Sequence, residues 1–238
     1  MNDNVNFNKW FETIASKLEN REISFRKIFK YLDNQPTPII IVETGCLRKA
    51  DNFLDGQSTL LFDKYTLSRG GKSKVYTVDI DPKSIRVCQQ VVSKNVNITT
   101  DDSVHYLNNL SGKFINNGTK VSMFYLDSLD VNWRYPHPSA SHHLKELAAV
   151  NRILHKDTLV VVDDSPAIGN LTHDDNETVS KAKDKLDYSD NTLTWKILKT
   201  PAPTIGGKGF LVHEYACHVG AKLLFSYYQT AWNGFNNT

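Results

Sequence analysis

Residues 38–46 read PIIIVETGC, an apolar run rich in β-branched side chains that ends in an acidic residue, a threonine and a glycine. A short apolar run of this kind predicts a buried strand, and a glycine directly after it predicts a turn where the backbone approaches another group closely. Four similar runs follow, separated by longer segments with helical or turn-like patterns. The five runs are residues 38–42, 75–78, 96–99, 121–126 and 158–162. Their alternation with helices predicts an α/β fold around a parallel sheet.

Two more apolar runs near the C-terminus predict further strands at Thr194–Leu198 and Gly209–His213. The loop between them, Lys199–Lys208, has no room for the crossover helix that a parallel connection needs, so we expect these two strands to run antiparallel. The predicted fold is therefore Rossmann-like and doubly wound, with a mostly parallel seven-stranded sheet and an antiparallel C-terminal strand.

Helical patterns predict the segments around the sheet and suggest how the chain is organised. Residues 6–34 read as one or two amphipathic helices that cover the sheet or form a lid, and residues 170–192 read as solvated surface. A further helix is expected to begin near Ser139 or Ser141, with an apolar stripe of Leu144, Leu147, Ala148 and Leu154. We expect an N-terminal helical cover at 1–37, a Rossmann-like domain at 38–215 and an extension of the same domain at 216–238.

The composition narrows the classes of partner. The 238 residues include 28 basic and 26 acidic side chains spread along the chain, for a net charge of +2, so no basic stripe points to nucleic acid. The three cysteines show no zinc-ligand spacing and fit reduced thiols in a cytoplasm. No basic segment leads into an apolar one at the N-terminus, and no apolar run is long enough to span a membrane. We expect a cytoplasmic protein with neither a nucleic-acid nor a membrane partner.

In open α/β sheets ligands lie beyond the carboxyl ends of the strands, where the strand order reverses. After the first strand come Glu43 and Gly45, and Ser58 then opens a helix whose terminal N–H groups are free to bind a ligand. The motif GxGxxG is absent, which counts against a dinucleotide site. Asp79 ends the second strand, where a carboxylate can accept hydrogen bonds from the two hydroxyls of a ribose. The alternative, that this acid caps the next helix, suits Asp81 before Pro82 better.

Acids also follow the third, fourth and fifth strands. Asp101 and Asp102 could cap a helix or accept from an adenine amino group, and both readings stay open. Asp127 and the pair Asp163–Asp164 end two apolar runs, and neighbouring parallel strands lie about 4.8 Å apart. Three carboxylates so close would repel each other, and a hard cation such as Mg²⁺ would relieve that cost. Simple capping is the competing interpretation.

At this point residues 38–215 resemble the class I S-adenosylmethionine-dependent methyltransferases. The segment Glu43-Thr44-Gly45 is similar to the acidic-x-glycine motif of that family, and Asp79 is similar to its ribose-binding acid. The resemblance implies that Glu43, Gly45, Ser58 and Asp127 lie near the cofactor, with Asp101 and Asp102 near adenine. Asp127, Asp163 and Asp164 look like the metal ligands of the catechol O-methyltransferase type and of related sugar O-methyltransferases, in which Mg²⁺ holds the acceptor hydroxyl.

The resemblance has two departures, which affect the expected chemistry. Small-molecule enzymes of this type have a lysine three residues after the first metal aspartate, where this chain has Asp130, and an Asp-Asn pair where this chain has Asp163–Asp164. Asp130 is therefore the first candidate for the general base, and His142 is the second because its pKa is better matched to neutral pH. Lys208 lies in a glycine-rich loop that could close over the pocket and face an anionic group, or could simply be solvated.

Together these residues predict methyl transfer from S-adenosylmethionine to a hydroxyl oxygen of a small polar or sugar-like acceptor, a metabolite or a glycan, with Mg²⁺ assistance. The alternative is a non-enzymatic nucleoside-binding or interaction module on the same fold, because a fold does not dictate a function. A convergent carboxylate cluster favours the enzyme, since a binding module has no need of one.

Overall fold

The main sheet has seven strands. The computed structural model describes residues 6–55, 57–133, 135–168 and 204–235. The sheet strands are β1 Ile40–Thr44, β2 Lys74–Asp79, β3 Val96–Thr100, β4 Met123–Leu126, β5 Leu159–Val162, β8 Lys222–Ser226 and β9 Thr230–Asn233. They lie side by side in the order β3-β2-β1-β4-β5-β9-β8. Two short strands, β6 Ala167–Ile168 and β7 Thr204–Ile205, pair separately.

Strands β1 to β5 are mutually parallel, and β9 runs antiparallel to both of its neighbours, β5 and β8. The predicted fold class, a mostly parallel seven-stranded Rossmann-like sheet with an antiparallel C-terminal strand, is confirmed. The order reverses between β1 and β4, because β2 and β3 lie on one side of β1 whereas β4 and β5 lie on the other. This reversal places a crevice at the carboxyl ends of β1 and β4, where such folds bind ligands.

Helices cover both faces of the sheet. They are α1 Phe7–Ile14, α2 Glu22–Asp33, α3 Ser58–Arg69, α4 Pro82–Val91, α5 Ser103–Asn117, α6 His137–Val150 and α7 Phe210–His218. One buried cluster joins α1, α2 and α3 to alternate strand residues such as Ile41 and Tyr125. The other joins α5, α6 and α7 to the intervening residues, such as Val42 and Phe124. The alternation follows from the two-residue period of a strand, and it explains why β4 and β5 are apolar throughout.

The N-terminal segment is helical, as predicted, and it packs on one face of the sheet. A 3₁₀ segment, Ala15–Arg21, links α1 to α2. Phe7 and Phe29 meet edge to face with ring centroids 4.6 Å apart, and Phe25 stacks on Tyr125 of β4. The cover therefore shares its core with the sheet. The domain boundaries after residues 37 and 215 stay predictions.

The C-terminal strands differ from those predicted. The predicted strand Gly209–His213 is wrong, because Gly207–Gly209 forms a 3₁₀ turn and α7 follows it directly. Val212 and Ala216 are buried four residues apart, which is the spacing of a helix face. The antiparallel C-terminal pair is formed instead by β8 and β9. The predicted strand Thr194–Leu198 and the predicted surface segment 170–192 lie outside the described residues.

Helix α6 begins at His137, after Pro136 and ahead of the predicted serine caps. Leu147 is buried as predicted, but Ala148 is exposed, and the polar side chains of His143 and Glu146 are buried in its place. This helix thus presents polar groups to the interior below the carboxyl edge of the sheet. In the described ranges no helix is both long and apolar enough to cross a membrane.

Candidate functional site at the carboxyl edge of the sheet

A small pocket of about 30 Å³ opens at the strand-order reversal. It is lined by Gly45, Cys46, Leu47, Arg48, Asp55, Gln57, Ser58, Asp79, Asp127 and Ser128. Four of the predicted cofactor-binding residues, Gly45, Ser58, Asp79 and Asp127, are therefore brought together at its wall. Glu43 is buried beneath them, and Asp101 and Asp102 are not part of the lining.

Gly45 brings the ends of β1 and β4 into close approach. Its φ is +77°, and its N–H donates to the carbonyl oxygen of Val78 at 2.8 Å. A Cβ atom at this position would lie 2.3 Å from the carbonyl oxygen of Asp127. Only glycine can combine this backbone conformation with this contact, so the pocket floor depends on it.

Glu43 is a fully buried acid at the end of β1. Its Oε2 accepts hydrogen bonds from the hydroxyls of Thr59 and Thr77, both at 2.7 Å. Burial raises the pKa of Glu43 to about 7, although the hydroxyl donors around it favour the charged form. The side chain therefore changes charge near neutral pH directly below the pocket.

The two acids after β2, Asp79 and Asp81, accept hydrogen bonds from different groups. Asp81 caps α4 by accepting from the N–H groups of Lys83 and Ser84, as the sequence favoured. Asp79 accepts from the N–H of Cys46 at 3.0 Å and from that of Asp81 at 2.8 Å. These two bonds aim the Asp79 carboxylate at the pocket that it lines, while its remaining lone pairs can accept further donors.

The acids after β3 are engaged with the first turn of α5. The side chain of Asp102 accepts from the N–H of His105 at 2.9 Å, which makes it the cap of the helix. Asp101 lies 2.8 Å from Nδ1 of the same histidine. The capping interpretation thus holds for Asp102, and the proposed contact with adenine stays a prediction.

The three acids after β4 and β5 do converge, but around two cationic side chains. The ammonium of Lys208 lies 2.5 Å from Asp127 Oδ1 and 3.1 Å from Asp164 Oδ2. Arg21 Nε lies 3.0 Å from Asp163 Oδ2, and its Nη2 lies 3.2 Å from Asp164 Oδ1. We call these five residues the charge cluster.

The charge cluster lies where the magnesium site was predicted, and the structure gives that prediction no support. Each of its carboxylates is paired with a cation from the chain itself, and the described residues contain no group of three or more acidic, histidine or cysteine side chains arranged to hold a metal ion. The repulsion that suggested Mg²⁺ is relieved by Arg21 and Lys208 instead. Lys208 is accordingly neither solvated nor free, since its side chain is only 1% exposed.

The cluster contains three acids and two cations, and the pKa directions reflect this imbalance. Although burial alone would raise the pKa of Asp164, the charges of Lys208 and Arg21 hold it well below its usual value. Burial and the neighbouring carboxylates of Asp163 and Asp164 raise the pKa of Asp127, despite the contact with Lys208. Burial alone would lower the pKa of Lys208, but the carboxylates around it raise it, so its ammonium stays protonated. Asp127 therefore takes up a proton more readily than Asp164.

Arg21 is a residue of this edge of the sheet that the sequence interpretation missed. It lies in the N-terminal cover, yet its Nη1 also donates to the carbonyl oxygen of Leu54 at 3.0 Å, and its guanidinium lies 4.5 Å from the ring centroid of Tyr228. The acids it pairs with follow 142 and 143 residues later. No local pattern could reveal such a contact.

A second polar network lies under the pocket and is centred on Glu146, which is fully buried. Thr44 and Ser128 donate to it at 3.2 and 2.7 Å, so it ties the ends of β1 and β4 together. His142 Nε2 lies 3.4 Å from Glu146 and 2.9 Å from the Ser103 hydroxyl. The hydrogen bond to Glu146 raises the pKa of His142 in spite of its burial. Glu146 shares the buried face of α6 with His143 and Val150, three residues before it and four after it, and the predicted apolar stripe of this helix did not include it.

Asp130, the first candidate for the base, lies at the outer rim. Its side chain is 74% exposed and pairs with Arg48 at 3.1 Å, and Arg48 also pairs with Asp55 at 2.9 Å. Arg48 thereby links the segment after β1 to the segment after β4 across the mouth of the pocket. The roles of Asp130 and His142 as bases stay predictions.

The similarity of this chain to known proteins is structural and distant. No protein-family model and no curated protein sequence matches the chain. Among solved structures, LepI in complex with SAM is similar at 12% identity and a TM-score of 0.45, covering 86% of this chain and 46% of that one. A DUF574 family protein from Streptomyces avermitilis MA-4680 is similar at 10% identity and a TM-score of 0.45, covering 94% and 88%. This chain thus spans about half of the LepI chain. The strand order defines its fold.

Proposed function

We propose that this protein binds S-adenosylmethionine in the pocket at the strand-order reversal and transfers its methyl group to an acceptor. The observation that carries the proposal is the Asp79 carboxylate, held at the pocket wall by two backbone N–H groups beside the Gly45 turn. A fixed carboxylate at the end of β2 suits the two hydroxyls of a ribose.

The residues around the pocket fit this cofactor. The Gly45 turn lets the Asp127 backbone approach the pocket floor, where a Cβ would collide with it, and Ser58 at the start of α3 adds a helix N-terminus to the same wall. The cavity of about 30 Å³ holds little more than a water or two, so the pocket has to widen when a nucleoside binds. The cofactor supplies an activated methyl group, and the protein supplies alignment of that group with the acceptor.

The acceptor is proposed to be a hydroxyl oxygen of a small polar or sugar-like molecule, as predicted from the sequence. No step is assigned to Mg²⁺, because the acids expected to hold it are paired with Arg21 and Lys208. Proton removal from the acceptor would then fall first to Asp130 at the outer rim and second to His142 in the network under the pocket. Asp130→Asn is expected to lower kcat by about 100-fold while affinity for the cofactor changes little.

A nucleoside-binding module without catalysis is the second candidate. The observation that favours it is the internal pairing of the charge cluster, which engages acids that an enzyme could use on a substrate. The two candidates share the cofactor pocket and differ in turnover. Transfer of radiolabelled methyl from S-adenosylmethionine to extracts of small polar metabolites distinguishes them, since a module would bind the cofactor and label nothing.

Calorimetry with S-adenosylhomocysteine tests the pocket itself. Asp79→Ala is expected to weaken binding by about 2–3 kcal/mol, because it removes a charge-assisted pair of hydrogen bonds. Asp81→Ala is the matched control: it removes an acid two residues away that caps α4, and it should leave the affinity unchanged. Equal affinity of the wild type and Asp79→Ala would refute the assignment.

A further inference from the structure

The charge cluster contains three carboxylates of the kind that bind a divalent cation. Two cationic side chains, Arg21 and Lys208, already pair with these carboxylates. Lys208 lies between Asp127 and Asp164, where an ion bridging the ends of β4 and β5 would have to lie. Arg21 binds both oxygens of Asp163 through its Nε, at 3.2 and 3.0 Å. Asp163 and Lys208 are each only 1% exposed, so water does little to solvate these charges.

The backbone fixes Lys208 in this position. Gly207 has a φ of +56°, and a Cβ there would lie 1.9 Å from the carbonyl oxygen of Asp164. The N–H of Lys208 donates to that same carbonyl oxygen at 3.0 Å. The lysine is therefore tied to Asp164 through both its backbone and its ammonium, and it has little freedom to swing away.

Arg21 connects the cluster to the cofactor pocket. Its bond to the Leu54 carbonyl holds the 3₁₀ turn Phe53–Asp55, and Asp55 lines the pocket. The same guanidinium stacks near Tyr228, whose hydroxyl donates to Asp164 at 2.6 Å. One side chain thus joins the N-terminal cover, the pocket wall and the ends of two strands.

We propose that Arg21 and Lys208 are positioning residues that take the place of a divalent cation, holding Asp127 at the pocket so that the protein works without a bound metal ion. The fixed charges of the chain do what a metal would do for the acids: they neutralise them and set their orientation. The link from Arg21 to the pocket rests on the proposed function, whereas the exclusion of metal rests on the cluster alone.

Titration with Mn²⁺, followed by electron paramagnetic resonance, tests the exclusion. We expect the wild type to bind Mn²⁺ only in the millimolar range. We expect Lys208→Met to bind it at least about tenfold more tightly, because the variant leaves Asp127 without a counter-charge and leaves Asp164 paired with Arg21 alone. Adding Asp164→Asn to Lys208→Met should abolish that gain. Lys120→Met, a change at an exposed lysine, is the matched control and should leave Mn²⁺ binding as in the wild type.

Two results would overturn the proposal: micromolar Mn²⁺ binding by the wild type that is lost in Asp127→Asn, or a folded Lys208→Met with no gain. If Lys208→Met does not fold, Arg21→Met is titrated in the same way, with the same gain expected, and the wild-type titration needs no variant at all. A merely structural role for the two cations would change stability without creating an ion site.

The connection to the pocket is measured by calorimetry with S-adenosylhomocysteine. Arg21→Met should weaken binding about tenfold by releasing the Leu54 carbonyl, and Arg21→Lys should recover part of the loss. Arg26→Met, at an exposed arginine that also pairs with acids, should have no effect. Unchanged affinity in Arg21→Met would overturn the positioning role. If the wild type binds no S-adenosylhomocysteine, the proposed function fails while the Mn²⁺ result still stands.

Discussion

The carboxyl edge of the sheet has two halves, and the aspartates in each half have different partners. After β2 and β3, Asp79, Asp101 and Asp102 accept hydrogen bonds from backbone N–H groups or a histidine, and no lysine or arginine in the described ranges pairs with them. After β4 and β5, Asp127, Asp163 and Asp164 are bound by Arg21 and Lys208. The acids of the first half can accept hydrogen bonds from a ligand, whereas the acids of the second half are paired with cations of the chain itself.

The position of an acid at a strand end therefore does not determine whether its partner is a ligand or a cation of the chain itself. A carboxylate held by N–H groups keeps its charge available to an outside donor, while one paired with a buried cation mainly fixes structure. The surroundings decide between a ligand-binding and a structural role, and the surroundings come from distant parts of the chain.

The largest expected effect is at the border between the halves. Gly45→Ala forces a Cβ against the Asp127 carbonyl and imposes a positive φ on alanine, so we expect a loss of about 4 kcal/mol in stability and of about 100-fold or more in cofactor affinity. Urea unfolding and calorimetry measure both. Gly118→Ala is the control, because Gly118 also has a positive φ but open space around it, and should cost only about 1–2 kcal/mol. Similar losses in the two variants would mean that the approach of β1 to β4 is not critical.

The second prediction concerns the internally satisfied half. Asp164→Asn leaves buried cations with too few partners and should cost about 3–5 kcal/mol at pH 7. The folded pKa of Asp164 lies below the unfolded value of 3.8, so its contribution is complete above about pH 4 and is lost as the pH falls through the folded pKa. Urea unfolding at pH 7 and pH 3 should show the cost shrinking in acid.

Glu12→Gln is the control for that series, because Glu12 pairs with Arg26 on the surface, and no measurable change is expected. A cost for Asp164→Asn that is equal at both pH values would contradict the ion-pair account.

The third prediction concerns Glu43 at the end of β1, where the pH dependence of stability has the opposite sign. The folded pKa of Glu43 is raised from 4.5 to about 7, so the contribution of the neutral acid is fully present below about pH 4.5 and is lost as the pH rises through 7. Glu43→Gln should remove this decline, which amounts to about 3 kcal/mol at pH 8. Melting curves from pH 5 to pH 8 record the slope for both proteins. Parallel slopes would mean that Glu43 is already ionised at low pH.

The smallest effect separates capping from ligand binding after β3. Asp102→Ala should cost about 1 kcal/mol of stability through the lost cap of α5. If the acid serves only as a cap, calorimetry with S-adenosylhomocysteine will show no change. A fall in affinity would add Asp102 to the residues that recognise the cofactor and would sharpen the contrast between the halves.

The sequence predicted the five parallel strands because each is a short run of mainly apolar or β-branched residues, and β1, β4 and β5 are buried throughout. The observed ends differ from the predicted ones by no more than two residues. It also located Gly45 and Asp79, since residues after strands meet at one edge. The strands β8 and β9 were not predicted, because the turn between them, residues 227–229, contains no glycine or proline. The counter-ions of the acids escaped for another reason: Arg21 reaches them only through tertiary packing.

Gly207 has a consequence for how this protein can diverge. A side chain at position 207 would collide with the Asp164 backbone, so losing the glycine would push Lys208 out of the cluster in the same step. The charge left behind would then favour replacement of an acid. We expect positions 164, 207 and 208 to co-vary in descendants of this chain, changing as a set or not at all.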